Sequence, residues 1–120
     1  MDHLEFRLLS HATTPTGESA AFALQIPPDL LYLQGHFPGY PLLPGIAQLL
    51  AIALDRIHSL WPSLGQPQRV TQLKFKRPIF PGDPLELQLE RSDNTVRFTI
   101  VRTTPQPELC THGTLIFRPS

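Results

Sequence analysis

Fourteen prolines in a chain of 120 residues place the strongest limit on what this sequence can fold into. Each proline lacks a backbone N–H donor and fixes φ, so it interrupts helices and is tolerated in sheets only at edges and turns. The prolines cluster between apolar segments and therefore act as boundaries. The sequence excludes a helical bundle and predicts short elements separated by turns.

The length suits one ordinary domain and is too short for two separate cores, so residues 1–120 are predicted to form a single domain. Hydrophobic residues make up 41% of the chain and charged residues only 17%, which favours a folded protein over a disordered one. A formal net charge of zero gives no reason to expect nucleic acid or an anionic membrane surface as the main partner.

Cys110 is the single cysteine, so neither an internal disulfide nor a cysteine-based metal site is expected, and a reducing compartment fits best. The first twelve residues carry Asp2 and Glu5 and lack the basic region, apolar core and cleavage site of a signal peptide. The longest purely apolar run, residues 49–54, is far below the roughly 20 residues that span a bilayer. We expect a cytoplasmic protein without a membrane segment.

Residues 46–61 follow a helical pattern that is apolar nearly all round, so this helix must be wrapped by other structure on most sides. Pro44 suits the first helical turn, and Pro62 ends the helix at Trp61. The few polar residues share a narrow stripe: Gln48, Asp55, Arg56 and Ser59.

Six short segments have the composition or the two-residue alternation of strands, and turn residues bound them. They are residues 5–9, 20–26, 70–77, 85–90, 95–102 and 109–117. Asp93-Asn94 and residues 104–107 supply hairpin turns, and residues 81–83 form a tight turn.

The order of two strands, one buried helix and four strands predicts an α+β domain in which an antiparallel sheet wraps around one long central apolar helix. A small sheet of this kind leaves an edge strand and one end of the helix uncovered, and pairing with another copy is the usual remedy. We therefore expect a dimer at least.

The segment ahead of the helix carries the pattern HFPGxPxxPG, from His36 to Gly45. Together with FKRPIFPGD at residues 75–83, and more weakly residues 113–117, it resembles the hot-dog-fold β-hydroxyacyl-acyl-carrier-protein dehydratases of type II fatty-acid synthesis. More narrowly, PGIAQL is similar to PGVVQL in small dehydratase-like proteins of aryl-polyene and related pigment pathways. The resemblance implies a hot-dog fold.

The position of His36 also has a physical consequence. The helix start near Gly45 and Ile46 has N–H groups without partners inside the helix, and these carry partial positive charge. That field disfavours an imidazolium, and a neutral imidazole can act as a general base near pH 7. The same N–H groups would stabilise charge that develops on a thioester carbonyl.

The resemblance implies a reaction. His36 would abstract the α-proton of a 3-hydroxyacyl thioester, the Gly45 N–H would bind the thioester carbonyl, and water would leave the β carbon to give a trans-2-enoyl thioester. No cofactor is implied, because the substrate is carried on the phosphopantetheine of acyl carrier protein. This reading makes the chain a hydro-lyase of fatty-acid or polyene-type biosynthesis.

A larger set of residues is predicted to bind the substrate. Gly39 permits a tight turn, and Gly45 lets a substrate approach the backbone closely. Phe37 and Tyr40 would flank the mouth of an acyl tunnel that the apolar helix lines. The predicted substrate-binding residues are Phe37, Gly39, Tyr40, Pro44, Ile46 and Leu50.

The chain departs from the dehydratase pattern at Leu50, where the family has its catalytic Glu or Asp. In an α-helix of about 100° per residue, Gln48 and Asp55 point roughly 160° and 140° away from position 50, so neither replaces the acid. Three explanations stay open. A partner chain in a heterodimer supplies the carboxylate, water or His36 supplies the proton in a slower enzyme, or the chain only binds acyl groups. Thioester hydrolysis on the same fold is a further alternative.

One basic patch is formed by Arg69, Lys74, Lys76 and Arg77. It is either a solvated strand face or a docking surface for the acidic carrier protein or its phosphopantetheine phosphate.

The remaining candidates favour structural roles. The other histidines have neither the motif nor metal-ligand spacing, so no metal site is predicted. Cys110 has no adjacent base and is expected to be a small core residue. The other histidines are His3, His11, His58 and His112.

Overall fold

The computed structural model describes residues 4–26, 45, 48–80 and 82–118. Six strands and one helical region cover most of this part of the chain. In order they are β1 (Phe6–Thr14), β2 (Gly17–Gln25), a π-helical segment (Gln48–Leu54), α1 (Asp55–Leu60), β3 (Pro67–Phe75), β4 (Pro84–Ser92), β5 (Thr95–Arg102) and β6 (Glu108–Phe117).

The strands form one antiparallel sheet in the order β1-β2-β4-β5-β6-β3. Strand β2 pairs with β4 rather than with β3. Strand β3 follows the helical region in the chain and pairs with β6 at the opposite edge of the sheet. The two edge strands are therefore β1 and β3. The predicted antiparallel sheet is confirmed.

The two-residue alternation of the strands places one apolar face against the helical region. On β4, for example, Leu85, Leu87 and Leu89 are buried, while the residues between them are partly or fully exposed. The helical region contributes its own buried side chains at the centre: Ala51, Ile52, Ala53 and Ile57. The sheet thus wraps an apolar helix, as its nearly all-round apolar pattern requires.

Within the described residues, the helical region is less regular than the single long helix that the sequence predicts, and one long helix is not shown. Within the described residues it consists of seven π-helical residues followed by six α-helical ones. Its end matches the prediction, since the Trp61 N–H bonds to the Ile57 carbonyl at 2.8 Å and Pro62 follows. No described helix is long and apolar enough to cross a membrane.

The hairpin between β1 and β2 is longer than predicted. Strand β1 continues to Thr14 and β2 begins at Gly17, with these two residues paired across a two-residue turn. Residues 10–19, which lie between the two predicted strands, are mostly polar and show no hydrophobic alternation. Most of β1 is exposed. Backbone pairing with β2 holds this edge strand, and apolar patterning does not detect such pairing.

The predicted turns are present. Ser92 pairs with Thr95 around Asp93, whose φ is 57°, and β5 and β6 are joined by residues 103–107. In the tight turn ahead of β4, Gly82 has a φ of 81° and the Asp83 N–H bonds to the Phe80 carbonyl at 3.1 Å.

Candidate functional site

The structure describes only part of the predicted catalytic region. Gly45 is described and helical, and the backbone of Leu50 lies in the π-helical segment, but its side chain is not described. The roles assigned to these residues therefore stay predictions. The predicted site residues outside the described part are His36, Phe37, Gly39, Tyr40, Pro44 and Ile46.

Gly45 lies against the aromatic ring of Phe75 at the end of β3. A Cβ atom at Gly45 would lie 2.7 Å from Phe75 Cζ, which is closer than side-chain carbons approach one another. Glycine at the helix start therefore has a packing reason of its own. Phe75 as a residue is 51% exposed, which leaves surface open to solvent or to a partner.

Gln48 is buried against the sheet. The residue is 3% exposed, and its Oε1 accepts a hydrogen bond of 2.5 Å from the hydroxyl of Thr111, a residue of β6 that is 0% exposed. The amide is thus held within the core, and this hydrogen bond occupies its oxygen.

Asp55 faces solvent instead. Its carboxylate pairs with Arg56 Nη2 at 2.8 Å, and its side chain is 56% exposed. The guanidinium of Arg56 also lies 4.4 Å from the centre of the Phe6 ring. Angles taken from an α-helix do not apply to a π-helical segment, which turns less per residue. The hydrogen bond of Gln48 to Thr111 and the ion pair of Asp55 with Arg56 now give the reason that neither residue replaces an acid at position 50.

The predicted basic patch is exposed. Arg69, Lys74, Lys76 and Arg77 all lie on the surface, along β3 and just after it. Arg77 Nε is 3.7 Å from Glu108 Oε2, so this charge is partly compensated. The structure brings these residues to one edge of the sheet.

A polar cluster around Arg102 holds the loop that carries FKRPIFPGD. Arg102 donates to Asp83 Oδ2 at 3.2 Å, to Glu108 and to the Pro78 carbonyl, and its side chain is only 15% exposed. Asp83 also accepts a hydrogen bond of 2.7 Å from the Phe80 N–H. The loop is thereby tied to β5 and β6.

Cys110 lies beside this cluster and is buried. Burial is the main cause that raises the pKa of its thiol above the ordinary value. The thiolate form is disfavoured, which agrees with the structural role predicted for this residue.

Two of the described histidines outside the motif, His11 and His58, have structural contacts. His11 Nε2 lies 3.0 Å from Glu18, and His58 Nε2 lies 2.7 Å from the Gly65 carbonyl. Among residues 4–26, 45, 48–80 and 82–118, no three histidine, cysteine or acidic side chains cluster as metal ligands would.

Comparison with known families assigns the chain. The sequence profile of the ApeI-like family, described as ApeI dehydratase, matches residues 12–114. The chain belongs to the ApeI-like dehydratase family. This confirms the resemblance to the dehydratases and the narrower remark about the polyene branch.

Curated relatives of this ApeI-like chain are 3-hydroxyacyl-[acyl-carrier-protein] dehydratases FabZ. That of Hydrogenobaculum sp. is 43% identical over 67 residues, which cover 49% of this chain and 45% of the relative. That of Clostridioides difficile is 31% identical over 96 residues, which cover 72% of this chain and 66% of the relative. The matches therefore span about half to two thirds of these relatives.

Solved structures support the hot-dog fold of the ApeI-like chain. An uncharacterized protein from Erwinia carotovora has a TM-score of 0.81 at 26% identity, with 96% of this chain and 97% of that chain covered. A structure described as the dehydratase heterocomplex ApeI:P from Xenorhabdus doucetiae has a TM-score of 0.75 at 22% identity, with 94% and 97% covered.

Sequence reasoning missed two residues beside the helix start of this ApeI-like chain, Phe75 and Thr111. A signal for Thr111 does exist. It is an isolated polar residue on the inner face of β6, where Leu115 and Phe117 are buried, and Gln48 is an isolated polar residue on a buried helix face. Two such residues on facing apolar surfaces indicate a hydrogen-bonded pair.

Proposed function

We propose that the chain is a 3-hydroxyacyl-acyl-carrier-protein dehydratase-type hydro-lyase. The observation that carries this proposal is the match to a dehydratase family over residues 12–114, within which the HFPGxPxxPG motif directly precedes the helical region. The curated relatives named as dehydratases of acyl-carrier-protein substrates support the substrate class.

In the proposed reaction His36 takes the α-proton of a 3-hydroxyacyl thioester. Negative charge then develops on the thioester oxygen, and the Gly45 N–H at the helix start stabilises it. The electron pair forms the α,β double bond as the β C–O bond breaks, and the hydroxyl leaves with a proton as water. The protein needs no cofactor for this chemistry, only a base, a hydrogen-bond donor and a proton source.

The proton source is the open part of the site. Position 50 is a leucine, Gln48 is engaged with Thr111, and Asp55 is exposed and paired with Arg56. We propose that a carboxylate of a second hot-dog chain completes the site. The structural similarity to a dehydratase heterocomplex supports this arrangement.

Strand β3 is the edge through which such a partner would reach the site. Phe75 at its end contacts Gly45, so a chain paired along β3 lies next to the helix start. Val70 and Phe75 are 36% and 51% exposed on this edge, which leaves apolar surface for an interface. The partner is a second copy or a related hot-dog chain.

The basic patch along the same edge is proposed to dock acyl carrier protein or its phosphopantetheine phosphate. Its four exposed cations would attract an acidic carrier and speed encounter. The value of kcat/KM for carrier-bound substrates should then fall with salt more steeply than kcat/KM for a short thioester without the carrier.

The reaction is tested by equilibrating a 3-hydroxyacyl thioester with its trans-2-enoyl product, using the chain alone and with candidate partner chains. His36→Ala should abolish turnover, whereas His112→Ala on β6 should leave it near wild type. Turnover that survives His36→Ala would show that the base is misassigned. Release of a free acid would instead identify thioester hydrolysis.

A second candidate function follows from Leu50: an acyl-binding subunit that is catalytically incomplete by itself. The variant Leu50→Glu distinguishes the dehydratase hypothesis from the hypothesis of an incomplete acyl-binding subunit. A gain of dehydration in the lone chain would show that the missing acid limits it. No gain in a folded variant, combined with full activity only in the presence of a partner, would show that the partner supplies more than a carboxylate.

A further inference from the structure

The hydrogen bond between Gln48 and Thr111 stands out in an otherwise apolar core. Among the described residues, these two carry the buried polar side chains, at 3% and 0% exposure. The Thr111 hydroxyl donates to Gln48 Oε1 at 2.5 Å, across 63 positions of the chain. The bond therefore joins the helical region to β6.

The pair lies directly beside the helix start. Thr111 and Phe75 are opposite partners in the antiparallel pairing of β6 with β3, so their side chains share one face of the sheet. Phe75 contacts Gly45, and Thr111 bonds Gln48 three residues later. Phe75 and Thr111, which face each other across β3 and β6, thus contact Gly45 and Gln48 near the helix start.

A helix that is apolar on most sides needs such a contact to be oriented. Apolar packing is non-directional, so a small rotation or shift costs little as long as the buried area is kept. A buried hydrogen bond has a preferred length and angle, and leaving it unmade in the core is costly. Single polar residues in apolar helix interfaces are known to specify register in this way.

We propose that Gln48 and Thr111 are positioning residues that set the rotation and height of the helix start, and with them the direction of the Gly45 N–H. The proposal rests on the proposed function, in which that N–H binds the thioester oxygen. The pair touches no reacting atom in this scheme, and it acts through Gly45. The Phe75 ring limits how closely the helix start approaches the sheet, and the hydrogen bond between Thr111 and Gln48 fixes the rotation of the helix.

Four variants test this assignment. Thr111→Val removes the hydroxyl at nearly constant shape, Thr111→Ser restores it, Gln48→Met removes the amide, and the double variant Gln48→Met/Thr111→Val makes both positions apolar. Thr99→Val, at a partly buried position on β5, is the matched control. An apolar pair of similar volume keeps the core folded, so the double variant separates stability from positioning.

Turnover is the first measurement. We expect Thr111→Val to lower kcat on the order of 10- to 100-fold with KM little changed, since the affected interaction strengthens in the transition state. Thr111→Ser should recover most of the loss. The double variant should stay impaired even where its denaturation midpoint equals that of wild type. Wild-type kcat in a folded double variant would overturn the proposal.

A second measurement does not depend on activity. The Gly45 α-protons lie against the Phe75 ring, so their NMR shifts report the position of the helix start, and amide exchange at residues 48–54 reports its fixation. Thr111→Val and the double variant should move the Gly45 signals and speed this exchange, while Thr99→Val should not. Unchanged Gly45 signals would refute the positioning role. If the wild type lacks turnover with every partner, the dehydratase proposal fails, and this measurement still decides the role of the pair.

Discussion

At the scale of single residues, two glycines show how close approach selects a residue without a side chain. At Gly17 the neighbour is the backbone of Arg91, which cannot rotate away, whereas at Gly45 it is the ring of Phe75, a half-exposed residue. The first contact is a requirement of the sheet, and the second belongs to the proposed site.

Gly17→Ala should destabilise the protein strongly. A Cβ at this position would lie 1.8 Å from the Arg91 carbonyl oxygen, so β2 and β4 would have to separate locally. We expect a loss of about 1–3 kcal/mol or more in the free energy of unfolding, measured by denaturant titration. Gly65→Ala is the control, because nothing lies within 4 Å of its Cβ. Equal stability of the two variants would contradict this account.

Glu18 gives a prediction for pH dependence. The pKa of its carboxyl group is lowered mainly by the indole N–H of Trp61, and next by His11, whose Nε2 lies 3.0 Å from the carboxylate. The indole N–H and the Glu18 carboxylate do not meet the geometry of a full hydrogen bond. Trp61→Phe should raise the pKa of Glu18 towards its ordinary value in an NMR carboxyl titration. An unchanged pKa in this variant would rule out the indole as the main cause.

The sign for stability follows from the lowered pKa of Glu18. The ionised carboxylate stabilises the folded chain above the ordinary pKa, and this contribution is lost as pH falls through that value and then through the folded-state pKa. Glu18→Gln should therefore lose less stability than wild type between neutral pH and about pH 3. Denaturant unfolding at the two pH values measures the difference.

At the scale of elements, the side chain of Arg102 ties the loop between β3 and β4 to the sheet, because it binds two carboxylates and a carbonyl at once. The planar guanidinium presents several donors in fixed directions, and a lysine ammonium cannot reach all three acceptors. The motif FKRPIFPGD thus depends on a residue about twenty positions further along the chain.

Arg102→Lys should lower the free energy of unfolding by about 1–3 kcal/mol, because charged hydrogen bonds in a mostly buried cluster are lost. Arg97→Lys on exposed surface of β5 should change it by no more than about 0.5 kcal/mol. Denaturant titration measures both variants. If Arg97→Lys lowered the free energy of unfolding as much as Arg102→Lys, the hydrogen bonds of the Arg102 cluster would not be the cause of the loss.

At the scale of the whole molecule, the two outermost strands among the described residues carry exposed apolar side chains. These are Leu8 and Leu9 on β1, and Val70 and Phe75 on β3. Only β3 adjoins the helix start, so the proposed partner is assigned to that edge.

Val70→Lys should weaken the proposed dimer, because a charge on the edge assigned to the partner opposes strand pairing. Sedimentation velocity should show a shift towards monomer, and proposed turnover should fall with it. Leu8→Lys on the opposite edge is the control and should leave the assembly unchanged. A dimer that is lost in Leu8→Lys but kept in Val70→Lys would place the interface on β1.

The strands from β4 to β6, their turns and the end of the helix were predictable, because Leu85, Leu87 and Leu89 alternate cleanly and Pro62 stops a helix by local chemistry. The β1–β2 hairpin was not, since its polar residues pair through the backbone. The π-helical form of Gln48–Leu54 was not predicted either. Of the candidate site, the motif was found locally, but the contacts of Gly45 and Gln48 were not.

The sequence by itself determined the family, through the spacing of HFPGxPxxPG, and the α+β architecture, through its prolines and its single apolar helix. Both are properties of neighbouring residues. Only the tertiary structure decided that Phe75 and Thr111 lie beside the helix start. They come from strands distant in the chain, and the order in which strands pair within a sheet brings them together.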